Sequence, residues 1–162
     1  MRYKLVFVGV LIVIGLTKVT AQTQKFDKAR FYEIMKSGTL DAINDEIELV
    51  KSTGPEQERD GYEGALLMKK AGLLKKPKDR LNFFKPGRIK LESAILADND
   101  NTEFHFLRLA IEEHAPKVVK YHGDLENDKA IVVKNFKSLS PVVRHAILDY
   151  CDSSKVLHKE DF

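Results

Sequence analysis

The chain has a single cysteine, Cys151, so no disulfide can close within it and its stability must come from packing. It has no apolar run near the roughly 20 residues a membrane-spanning helix needs; the longest, Leu5–Leu16, holds twelve. No segment alternates apolar and polar residues between hairpin turns, which removes the usual signal for a half-buried strand. There is no H-E-x-x-H metal motif. The glycine-rich stretch GPEQERDGYEG lacks the Gly-Lys-Ser/Thr ending of a phosphate loop. These absences exclude a disulfide scaffold and two common site chemistries, and they count against a helical membrane span.

What is present begins with MRYKLVFVGVLIVIGLTKVTAQ. Arg2 and Lys4 precede the short apolar run, and Val19 and Ala21 supply the small residues of a cleavage site. This order predicts a secretory signal peptide over 1–21, cut after Ala21. An uncleaved anchor is the alternative; the shortness of the run and Lys18 count against it. No cysteine near the cut could accept a lipid. The expectation is an exported protein, periplasmic or extracellular, of bacterial type, with no stable membrane span after cleavage.

Losing Arg2, Lys4 and Lys18 removes the net charge of +3. The remaining 141 residues carry 24 bases and 24 acids. Such a chain lacks the basic field that attracts nucleic acid. Its length suits one domain, expected over 22–151, followed by a polar tail, 152–162, that frays.

The apolar spacing is helical almost throughout. Phe31, Ile34 and Met35 share a face before the stop at Ser37-Gly38. Leu40, Ile43, Ile47 and Val50 form a second stripe. Pro55 opens a third helix, which carries Gly61, Gly64, Ala65 and Ala71 for close backbone approach. A fourth starts near Lys78, and Pro86-Gly87 predicts a kink or a fresh start there. Phe104, Leu107 and Ile111 mark another helix, and Leu125, Val132 and Phe136 the next. Ser140-Pro141 caps a last one, with Val143, Ile147 and Tyr150 inside. The fold class expected is all-α: stacked antiparallel helical hairpins in a single α-solenoid-like domain.

Asp98-Asn99-Asp100-Asn101 invites a reading as a calcium loop. Counted from Asp98, the sixth position is Glu103 where glycine is required, and the twelfth is Leu109 where glutamate is required. The tetrad is instead the joint between two helices, with Asn101 or Thr102 as the cap. LESAILADNDNTEFHFL resembles a tetratricopeptide-repeat junction. Gly87, Leu91 and Ala94 stand where that family places small, large and small residues, and Asn101 matches its closing Asn. The family's turn proline is Asn99 here. His105, Arg108 and Leu109 replace its aromatic, leucine and glycine. The resemblance covers one degenerate repeat around Gly87–Leu109 and implies a tetratricopeptide-like fold and a protein-interaction scaffold.

No catalytic, cofactor or metal residue is singled out, and no cofactor is expected. His105 and His114 face opposite ways on one helix and are read, with His122, as surface or helix-end residues. His145 and Asp149 share a face, as an orienting pair or an ordinary surface pair. Cys151 is badly placed for activation by His145 and is read as a small buried hydrophobe.

Charge is segregated. Residues 41–63 hold eight acids and two bases, a net of −6, whereas 69–90 hold nine bases and one acid, a net of +8. The bases are Lys69, Lys70, Lys75, Lys76, Lys78, Arg80, Lys85, Arg88 and Lys90. They are the candidate binding residues, unless neighbouring helices neutralise them. Together these features predict a protein- or peptide-interaction module of the cell envelope, with an anionic envelope component as a further possible partner. The alternatives are a small exported enzyme on a helical bundle, or a structural or stress-related envelope protein without a discrete ligand. An enzyme needs a pocket around His145 and Asp149 or around His114 and Glu113.

Overall fold

The computed structural model describes residues 25–162, so the expected signal peptide lies outside the described residues. Those residues form an all-helical protein, with no strand among them. The α-helices are α1 (Lys28–Ser37), α2 (Leu40–Lys51), α3 (Glu56–Leu73), α4 (Pro77–Ala97), α5 (Thr102–His114), α6 (Leu125–Asn135) and α7 (Pro141–Cys151). Short 3-10 turns follow α5, α6 and the end of α7. Capping sets several starts. Asp27, Thr39, Asn101 and Ser140 each accept a hydrogen bond from a first-turn N–H through their side chains. Asn101 is therefore the cap that follows the Asp98 joint.

Helices α3 and α4 form the closest-packed pair. A Cβ on Gly64 would sit 2.7 Å from the Gly87 carbonyl oxygen, and one on Gly87 would sit 2.8 Å from the Gly64 carbonyl oxygen. The two glycines let the backbones touch. Gly61 makes similar room for the ring of Phe104 on α5. Of the kink and the fresh start expected at Pro86, the fresh start is not found. Helix α4 continues from Pro77 to Ala97 with Pro86 inside it, and no new helix starts there. Phe84 before the proline and Gly87, Leu91, Ala94 and Ile95 after it are all buried, so packing holds both halves in one helix. Tertiary contact overrides the local cost of proline.

Helix α5 is the centre. Phe104 and Leu107 join a core with residues of α1–α4, while Phe106 and Leu109 join a second core with α6, α7 and Leu157. Every residue from Thr102 to Leu109 is buried. The second core also corrects the fraying tail. Leu157 is fully buried. Phe162 packs on Phe136 at 4.3 Å between ring centroids. Lys129 donates to the Val156 carbonyl at 2.8 Å, and Ser154 donates to Glu113 at 2.7 Å. Residues 152–162 are polar but they close the domain, because α6 and α7 alone leave its apolar interior open at that end.

Candidate functional site

Helix α5 carries His105, Arg108 and Glu112 on one side, and the rest of the fold covers that side from solvent. His105 and Arg108 pair inside instead. His105 is 1% exposed. Its Nδ1 lies 2.6 Å from Asp128 Oδ1 and its Nε2 lies 2.9 Å from the Asn99 carbonyl oxygen. Both partners are acceptors, an arrangement that favours the doubly protonated ring, although an Arg108 Nη also lies 3.5 Å from Nδ1. Burial presses its pKa down, but the bonds to Asp128 and the Asn99 carbonyl outweigh this and leave it raised. Arg108 donates to the same carboxylate from Nε (2.8 Å) and an Nη (2.7 Å), and reaches Glu92 at 2.9 Å. Tyr121 donates its hydroxyl to the other oxygen of Glu92. The network ties α4, α5, α6 and the Asp98 joint together.

His105 is thus a correction to its reading as a surface or helix-end residue. No local signal marked this: His105 and Arg108 share one side of α5 with Glu112, the pattern of a solvent-facing stripe, and only tertiary contact buries it. Chemically the network is saturated. An imidazolium with both N–H groups engaged has no lone pair with which to take a proton.

Several other titratable groups are occupied as well, but Glu46 Oε1, Glu112 Oε1 and His122 Nε2 are buried without a hydrogen-bond partner among the described residues. Glu113 accepts from Tyr150 (2.6 Å), Ser154 and the Lys155 N–H. Burial raises its pKa, but these three donors outweigh it and hold the carboxyl below its usual value. His114 Nδ1 lies 3.0 Å from the Ala110 carbonyl oxygen. Asp149 pairs with Lys36 at 3.1 Å and lies 3.8 Å from His145, whose side chain is 79% exposed. Cys151 is buried in the second core, and burial raises its pKa, the opposite of nucleophile activation. A cavity of about 40 Å³ lies between Phe26, Val50 and Tyr62. An open depression of about 390 Å³ beside α6 is lined by Glu126, Lys129, Ala130, Val133, Lys134 and Asp161. Neither contains His114, Glu113, His145 or Asp149. Among the described residues no cluster of His, Cys, Asp and Glu has the arrangement of a metal site.

The nine bases at 69–90 divide into two sets. Five are engaged with the fold. Lys69 is half-buried, its Nζ 3.4 Å from the Lys36 carbonyl oxygen, and burial lowers its pKa. Lys70 sits over the Phe83 ring at 4.0 Å and Arg88 over Tyr121 at 4.6 Å. Arg80 donates to the Leu74 carbonyl and closes the α3–α4 turn. Lys90 reaches Asp60 at 2.6 Å and Glu63 at 3.3 Å. Burial works against its charge, but these two carboxylates prevail and raise its pKa. This last pair neutralises one base of the +8 segment with acids of the −6 segment. The other four, Lys75, Lys76, Lys78 and Lys85, are exposed and form no ion pair among the described residues. Lys75, Lys76 and Lys78 lie together at the α3–α4 turn, and Lys85 lies about two helical turns along α4. No described helix is long and apolar enough to cross a membrane.

Comparison with protein-family models, with curated proteins and with solved structures found no match.

Proposed function

We propose that the protein is an exported helical docking module of the cell envelope, which holds an acidic protein or peptide through the α3–α4 hairpin. One observation carries this reading. Lys75, Lys76 and Lys78 are exposed at one end of the hairpin and Lys85 about two turns along α4, and none is paired with an acid of the described chain. Solvated lysines gathered on a rigid hairpin attract an anionic surface and set its encounter rate. The Gly64–Gly87 contact packs α3 tightly against α4 in the hairpin that carries these lysines. Export rests on the leader pattern of residues 1–21. The tetratricopeptide-like junction at Gly87–Leu109 supports an interaction scaffold by analogy.

The test is capture from an envelope extract with the tagged protein, at low and high salt, followed by cross-link mapping. A stoichiometric acidic partner is expected, cross-linked at Lys75–Lys85 and released by salt. Reversal of Lys75, Lys76 and Lys78 to Glu is expected to abolish capture while leaving the far-UV circular dichroism intact. Capture unaffected by that reversal overturns the reading.

A further inference from the structure

We infer that the outer face of α4 is the seat of an acidic amphipathic helix of the partner, laid lengthwise along Leu81, Ile89 and Leu96. The inference rests on the docking-module reading and adds what the partner presents.

Helix α4 is apolar on two opposite sides. Taking Leu81 as zero and about 100° per residue, the buried Phe84, Gly87, Leu91, Ala94 and Ile95 fall between about 220° and 320°. That side is covered by the rest of the fold. The exposed apolar residues fall on the other. Ile89 lies at about 80° and Leu96 at about 60° from Leu81, so the three stand in one row. They are 42%, 66% and 86% exposed for Leu81, Ile89 and Leu96. An apolar row on a helix calls for a partner, whereas isolated exposed leucines do not.

The charge on the row selects that partner. Lys78 and Lys85 fall within it, at about 60° and 40°, and both are exposed. The one acid within the row, Glu92 at about 20°, is engaged by Arg108 and Tyr121, and Asp79 lies apart at about 160°. The face is therefore apolar and cationic together. Its complement has apolar residues seven or eight apart with carboxylates beside them, which is the pattern of an acidic amphipathic helix. The row runs 15 residues, or about 22 Å, which is roughly four turns of a partner helix. A lipid surface suits it less. The apolar arc spans only about 80°, below the width of about 100° usual for an amphipathic face, Lys85 interrupts it, and it carries no aromatic residue.

The probe is a synthetic labelled helical peptide with leucines seven residues apart and glutamates flanking them. Its binding to the protein, isolated after expression of the full chain, is read by fluorescence anisotropy. The expected result is salt-sensitive binding at least about tenfold tighter than to a peptide of the same composition with its leucines off one face. Two variants carry the test, and both change only exposed side chains. L81S/I89S/L96S and K78E/K85E are each expected to weaken binding at least about tenfold with unchanged circular dichroism. Equal affinity for the scrambled peptide, or binding indifferent to L81S/I89S/L96S, overturns the inference. So does capture on phosphatidylglycerol vesicles through the same residues without peptide binding, which would assign the face to a membrane. An envelope partner cross-linked at Lys75 and Lys76 but indifferent to L81S/I89S/L96S also overturns it, while leaving the docking module standing.

Discussion

Replacing Asp128 with Asn probes the buried network where it is most exposed to failure. Asp128 is fully buried and takes hydrogen bonds from His105 and from two nitrogens of Arg108. Asn keeps the shape but removes the charge, and it offers N–H donors where two cations already donate. The His105 ring and the Arg108 guanidinium then keep only Glu92, at 2.9 Å from Arg108, and Asp124, at 3.6 Å, as carboxylate partners. Breaking a buried pair from one side costs about 3–5 kcal/mol, because the other charge stays desolvated. A domain of this kind is stable by about 5–15 kcal/mol, so the loss is a large fraction of the whole. In urea, with a slope of about 2 kcal/mol per molar, the midpoint should fall by roughly 1.5–2.5 M at unchanged slope. The companion variant H105L/R108M/D128L removes all three charges and fills their space. It should recover at least half of the lost stability. A loss below roughly 0.5 kcal/mol for D128N would show that the network is solvated and that its burial has been misjudged.

Three further outcomes follow from the same structure. The His105 pKa is raised in the fold, so its imidazolium stabilises fully below the ordinary value near 6.5 and loses its effect as pH rises through the folded value. Urea midpoints measured upward from about pH 6 should decline over that window, and H105Q should flatten the decline; an equal slope in both would remove His105 as the cause. G64A should destabilise by about 1–3 kcal/mol, since its Cβ meets backbone of α4 at 2.7 Å, whereas G72A, with nothing within 4 Å in an exposed helical position, should stabilise by about 0.5–1 kcal/mol; thermal midpoints moving the same way in both would refute the helix-crossing account. L157A should cost about 2–5 kcal/mol and open the C-terminal residues to limited proteolysis, and a neutral result would return them to a fraying tail.

By itself the sequence determined the helical class, a cap at Asn101 or Thr102, the cap at Ser140, the helical joint at Asp98–Asn101 and the clustering of bases over 69–90. These depend on interactions among residues a few positions apart, where spacing and side-chain chemistry are enough. The tertiary structure decided the rest. Whether Pro86 ends a helix depended on α3 lying against both halves of α4. Whether His105 is wet or buried depended on α6 bringing Asp128 across twenty-three residues of chain. Which lysines stay available depended on Asp60, Glu63, Phe83 and Tyr121 arriving from other parts of the fold to engage Lys90, Lys70 and Arg88. The row of Leu81, Ile89 and Leu96 has the same origin. Its spacing is written in the sequence, but an apolar stripe does not say whether it faces the core, and only the packing of α3 and α5 on the opposite side left this one uncovered.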